Sequence, residues 1–130
     1  MSALTGTRVV ELASERVAWA GKLLGDMGAD VVLVEGPEGE ASRAYPPFAD
    51  DQEGGESLYF WHYNTSKRSV VLDLEQAAAK EAFLALVASA DILIESEDPG
   101  RLAALGLDYD DLVRVKPDLI FVSMTGFGRD

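Results

Sequence analysis

The chain has 130 residues, 48% of them hydrophobic and 26% charged, with 23 acidic against 11 basic side chains and a net charge of −12. That balance describes one globular domain with a moderate core rather than a disordered segment. The acidic excess argues against nucleic acid or an anionic membrane as partner, but leaves room for a small anion in a local cationic pocket.

There is no cysteine, which removes disulfides, thiolate catalysis and Cys-zinc sites together. Met1–Gly6 shows neither the basic nor the apolar region of a signal peptide. No apolar run approaches the ~20 residues of a membrane span.

Thr7–Leu12 (TRVVEL) reads as a first strand, and Ser14 as the cap of a helix. Val17, Ala20, Leu24 and Met27 carry that helix's apolar face, and Gly28 ends it. Asp30–Glu35 (DVVLVE) is a nearly continuous apolar run, as expected of a strand covered on both faces. The three pieces form a βαβ unit with a parallel strand pair. Glu35 sits where dinucleotide folds place an acid for a ribose hydroxyl, but no Gly-x-Gly-x-x-Gly follows the first strand, so NAD or FAD is not expected. The plainer reading of Glu35 is a strand-end carboxylate in solvent or in an ion pair. Gly36–Gly55 is the longest irregular segment, and Arg43 is its only cation. It reads either as a functional loop or as a mobile acidic one in which Arg43 merely balances charge.

Ser57–Leu74 (SLYFWHYNTSKRSVVLDL) places the rings of Tyr59, Phe60, Trp61 and Tyr63 before a polar elbow, Asn64-Thr65-Ser66. Two cations follow, Lys67 and Arg68, and then a strand from Ser69 to Leu72. Aromatic rings beside cations at a sheet edge suit a flat, anionic ligand, whereas rings in the core and a solvated turn make the plainer reading. Lys67 is expected to point toward a cleft or toward the part of the protein beyond these residues, and Arg68 to pair with a carboxylate through its fork, so that losing Arg68 should cost more stability than losing Lys67. These rings are too many for one small domain to hide fully, so part of them is expected at the surface.

Asp73 with Gln76 reads as a variant capping box for a helix whose apolar face is Ala79, Phe83, Leu86, Val87 and Ala90. Asp91–Glu95 is a fourth strand, Ser96–Gly100 a turn, Leu102–Leu105 a short helix, and Tyr109–Val115 a helix capped by Asp108 and stopped by Pro117. Leu119–Met124 is a fifth strand, followed by the glycine loop Thr125–Gly128. The expected fold is α/β: a Rossmann-like, mostly parallel sheet with flanking helices. Ligands of such sheets lie beyond the carboxyl ends of the strands. Ala13–Val17, Glu35–Pro37, Ser96–Gly100 and Thr125–Gly128 all occupy such ends, with Leu72 nearby. His62, the single histidine, reads as a packed or half-exposed ring rather than a general base, and no spacing suggests a metal site.

Three stretches, in order, resemble CoA-transferase family III, the group of formyl-CoA and carnitine CoA-transferases and alpha-methylacyl-CoA racemases. Residues 57–74 are similar to its "YFxxxNxxKRSxxLDL". LLGDMGADVVLVEGPEGE at 23–40 is similar to "LLADLGADVIKVEPPGGD", and residues 90–128 are similar to "ADVLVENFRPGxxxxLGLxYexLxxxNPxLIyxSITGFG". The resemblance implies coenzyme A as ligand, acyl-CoA and a small carboxylic acid as partners, a homodimer and a cytoplasmic location.

It carries CoA contacts onto Arg16, Val17, Gly36, Leu72, Ser96, Glu97 and Ala104. The sequence departs from the pattern where ESEDPG replaces ENFRPG: Ser96-Glu97 stands for Asn-Phe, and Ala104 for an arginine that Arg101 would replace. Glu97 and Asp98 then stand where a phosphate would lie, a repulsion on the order of 1 kcal/mol or more near a surface. The family's acyl-carrying aspartate falls beyond the last matched block, so no catalytic residue is assigned within these residues. The chain is expected to be the N-terminal part of a larger two-domain protein. Two rivals stand beside this reading: a non-catalytic acyl-CoA-binding or assembly domain, and a flavodoxin-like signalling domain. The latter would need an acidic pair after the first strand and a lysine after the fifth, which Glu11 alone and Thr125–Gly128 do not supply.

Overall fold

The β-branched runs of the sequence become the strands of a single sheet. In the computed structural model, which describes residues 1–129, β1 (Arg8–Leu12), β2 (Asp30–Glu35), β3 (Lys67–Val71), β4 (Ile92–Glu95) and β5 (Ile120–Ser123) are all parallel, in the order β3-β2-β1-β4-β5. Val9 lies level with Val31 on one side and Ile92 on the other, and this register sorts side chains by face. Val9, Val31 and Ile94 pack with Val17 of α1 (Glu15–Asp26). On the opposite face Val10, Leu12, Val34 and Leu93 meet Phe83 and Val87 of α3 (Ala77–Ala88), Leu102 and Leu105 of α4 (Arg101–Leu105), and Leu112 of α5 (Tyr109–Val115). Each fully buried side chain of this kind contributes roughly 1.5–3 kcal/mol, so these two layers carry the fold.

Local chemistry sets the helix ends. Ser14 caps α1, its Oγ accepting from the Arg16 N–H at 3.2 Å. Past Asp26 the chain leaves the helix through Gly28 at φ 99°, a conformation that favours glycine. Asp108 and Asp111 form a reciprocal capping box on α5. The box expected at Asp73 and Gln76 is not formed. Gln76 makes no side-chain cap, and Asp73 instead accepts from the nearby Glu75 N–H at 3.1 Å, closing a turn before α3 begins.

The aromatic stretch also differs from expectation, because most of it is a helix, α2 (Leu58–Asn64). Ser57 starts it: its Oγ donates to the Tyr45 carbonyl at 2.6 Å and accepts from the Phe60 N–H at 3.1 Å. Helical spacing buries only Phe60 among the four rings, and Trp61 stays 47% exposed, while Trp19 of α1 packs against His62 and Tyr63. Ser66, at φ 65°, turns the chain directly into β3, which therefore starts at Lys67 rather than Ser69.

Lys67 does not face a cleft. Its side chain is 1% exposed, and the ammonium lies 2.8 Å from Glu11 Oε2 and donates to Glu11 Oε1 (2.9 Å), the Ala18 carbonyl (3.0 Å) and Asn64 Oδ1 (2.9 Å). One cation thus ties β1, α1 and α2 to β3. Gly21 makes room for the pair, since a Cβ built there would lie 1.8 Å from Glu11 Oε2 and 3.1 Å from Lys67 Nζ. The nearest atom is the tip of a side chain, which normally yields cheaply, but here its partner pins it. Gly21→Ala is therefore expected to lower stability by about 1–2 kcal/mol: overpacking costs about 1–3, offset by up to about 1 of helix propensity. Urea denaturation checks this, and a stabilised variant would show that the carboxylate is free to move.

Candidate active-site cleft

The order β3-β2-β1-β4-β5 reverses direction between β1 and β4, and there the connections leave to opposite sides and open a crevice at the carboxyl ends. A hydroxyl bond closes the bottom of this switch point: Ser96 Oγ, after β4, donates to Ser14 Oγ, after β1, at 2.8 Å. Two depressions share Ala13, Gly36 and Glu97. One, of about 370 Å³, is also lined by Ser14, Arg16, Tyr45, Ser96 and Asp98. The other, of about 160 Å³, is lined by Leu12, Leu72, Asp73 and Arg101, among others. Together they have the size of a small-ligand site.

Of the residues singled out from the sequence, Arg16, Gly36, Leu72, Ser96, Glu97 and Arg101 all line this crevice. Val17 does not, because its side chain is 1% exposed and packs under the sheet. Ala104 is exposed on α4, outside both linings. Thr125–Gly128 stands further along the rim, where Phe127 is fully exposed and shares an open depression with Arg16 and Asp98.

The wall beyond β2 is held by the ion pair that was one of the readings of Glu35, within a network whose partners the sequence did not name. Glu35 is buried, and it accepts from Arg43 Nε and Nη2, both at 2.7 Å, from Ser69 Oγ at 2.5 Å and from the Glu40 N–H at 2.8 Å. The bidentate Arg43 bond holds the Glu35 carboxyl down at about 2, against the opposing effect of burial. The Arg43 guanidinium also lies 3.9 Å from the centre of the Phe60 ring. Arg43 therefore does more than balance the charge of its segment. The segment contains two short 3-10 turns, Ala41–Ala44 and Ala49–Asp51, and its first half is clamped to the end of β2.

The electrostatics are uneven. Arg16 and Arg101 face the crevice, with Glu15, Glu40, Asp73, Glu97 and Asp98 as unneutralised or partly neutralised carboxylates around them. Burial pushes the Glu97 carboxyl up, Glu95 adds to the rise, and Arg101 opposes it. Among the described residues no group of His, Cys, Asp and Glu is arranged to hold a metal ion, and no helix is long and apolar enough to cross a membrane.

Comparison with known proteins gives one answer throughout. The chain is 44% identical to the succinate–glutarate CoA-transferase of Agrobacterium fabrum over 97% of its own length and 33% of the relative's. It is 33% identical to the human succinyl-CoA:glutarate CoA-transferase over 97% of its own length and 28% of the relative's. The crystal structure of a CaiB/BaiF family protein from Brucella suis superposes with a TM-score of 0.90 at 39% identity, over 99% of this chain and 35% of that one. The chain thus spans about a third of the length of the curated relatives it matches. The match to CoA-transferase family III runs from residue 4 to residue 130, and the chain belongs to that family.

Proposed function

We propose that residues 1–130 are the N-terminal, CoA-binding part of a longer enzyme that moves coenzyme A between an acyl-CoA thioester and a small carboxylic acid. The observation that carries this reading is the 44% identity to a relative named as a CoA-transferase, across the segments that build the crevice. In this reading CoA enters at the switch point. Gly36 and Leu72 offer backbone and apolar surface, Ser96 offers a hydroxyl, and Arg16 and Arg101 offer charge, with Glu97 beside them. An aspartate further along the longer chain attacks the acyl-CoA carbonyl and expels CoA thiolate, forming a mixed anhydride; the thiolate then attacks the aspartyl carbonyl, which leaves an aspartyl-CoA thioester and releases the first acid, and the acceptor carboxylate runs the two steps in reverse. Racemisation of a 2-methylacyl-CoA is the other chemistry consistent with the resemblance. We place the enzyme in the cytoplasm as a homodimer, which sedimentation of the longer protein tests.

A second reading, a non-catalytic acyl-CoA-binding or assembly domain, is favoured by Glu97 and Asp98, which put negative charge where phosphate would approach. Incubation of the longer protein with succinyl-CoA and a panel of dicarboxylates, followed by mass spectrometry of the thioesters, separates the two. New acyl-CoA species are expected from the longer protein and none from residues 1–130 alone. CoA binding without exchange would select the second reading, and transfer by residues 1–130 would place a nucleophile among Glu11, Glu35 and Glu95.

A further inference from the structure

Building on the CoA reading above, we propose that Glu75 is a built-in competitor for the cleft's phosphate-reading cation, Arg101, so that the Glu75–Arg101 pair sets CoA affinity. Arg101 Nη2 lies 2.6 Å from Glu75 Oε1, with side chains 44% and 58% exposed. The two come from opposite walls of the smaller depression. Glu75 directly follows the Leu72-Asp73-Leu74 wall, and Arg101 stands on the wall of Leu102 and Leu105. Their bond therefore joins the two lips.

Arg101 is the only cation lining that depression, against Glu35, Asp73 and Glu97. Glu35 is already neutralised by Arg43, so a phosphate entering there finds Arg101 or nothing. The backbone under Arg101 is fixed by its N–H bond to the Asp98 carbonyl at 3.0 Å, so exchanging partners requires only rotation of the side chain. An exposed ion pair contributes little to folding, whereas a guanidinium–phosphate fork is among the stronger charge-assisted contacts. Phosphate therefore displaces Glu75, but must break the Glu75–Arg101 bond to do so. Removing that carboxylate charge should favour the ligand and leave the fold nearly untouched.

Calorimetric titration of the longer protein with CoA and with phosphate-free pantetheine tests this. Glu75→Gln is expected to tighten CoA binding by about threefold or more, and Arg101→Gln to weaken it by about tenfold. The double variant should match Arg101→Gln alone, because Glu75 acts only through Arg101. Pantetheine binding should be the same in all four proteins. If CoA binds the unaltered protein but Glu75→Gln leaves its affinity unchanged or weaker, the competition is absent and the proposal fails while the CoA reading stands. If CoA does not bind the unaltered protein, the CoA reading itself fails and the proposal with it.

Discussion

Replacing Lys67 with methionine is expected to lower stability by about 3–5 kcal/mol at pH 8, a large part of the ~5–15 that a domain of this size has. The reason is the carboxylate left behind. Glu11 is wholly inaccessible in the central strand β1, and among the described residues Lys67 is its only ionic partner. Burial raises the Glu11 carboxyl to about 7 even with the ammonium beside it, and burial likewise lowers the Lys67 ammonium, so neither charge is comfortable without the other.

The sign of the pH dependence follows. A carboxyl whose folded value lies above its ordinary 4.5 takes up protons on folding, so its contribution is fully present below about 4.5 and is lost as pH rises through about 7. Without Lys67 the folded value rises further, and the variant should lose clearly more stability at pH 8 than at pH 5. Adding Glu11→Leu to Lys67→Met should recover most of the loss, since an apolar pair can replace a buried ion pair. Arg68→Ala should cost less than about 1 kcal/mol, because the Arg68–Asp30 pair lies at the surface and Asp30 keeps Arg8. Urea denaturation at the two pH values measures the three variants against the unaltered protein. Equal loss at both pH values with no recovery in the double variant would mean that Lys67 acts by packing alone.

That ranking reverses the one the sequence suggests, and the reversal shows what a sequence of this kind leaves hidden. Period-2 and period-3.6 patterns place β1 to β5 and α1, α3 and α5 within two or three residues, because each is set by which side chains must leave water. The switch-point crevice follows from the parallel order alone. What the patterns miss is pairing across distance. Lys67 follows an elbow of hydroxyls and amides and looks solvated; only the packing of α1 and α2 over β3 makes it internal. The clue lies elsewhere, in an acid placed mid-strand in RVVEL and a glycine, Gly21, in the interior of the facing helix. The helical form of the aromatic run is hidden for a similar reason: Leu58–Asn64 has a cap in Ser57, but its rings lack the apolar spacing of a longer amphipathic helix. Among the crevice residues, those at strand ends were readable from topology. The failure of Val17 to reach it was not, since that depends on which way the first turn of α1 faces.

Arg43→Ala is expected to lower stability by about 2–4 kcal/mol at pH 7, because it strips a buried carboxylate of its bidentate partner and leaves it only Ser69 Oγ and the Glu40 N–H. The size sits below that for Lys67 because Arg43 is itself 43% exposed, so that water can reach the gap it leaves. Arginine's planar fork and its stacking on Phe60 make lysine a poor substitute, and Arg43→Lys should lose more than half as much. Here the pH dependence runs the other way from Glu11. The Glu35 carboxyl is held at about 2, below its ordinary 4.5, chiefly by the Arg43 hydrogen bonds. The stability it confers is therefore present above about 4.5 and is lost as pH falls toward about 2. In Arg43→Ala burial is no longer outweighed, the folded value rises, and much of that acid-side loss disappears. Denaturation midpoints measured from pH 7 down to about 2.5 should accordingly converge for the variant and the unaltered protein as the solution is acidified. Curves that stay parallel throughout would show that Arg43 contributes through its contact with the Phe60 ring and not through the charge of Glu35.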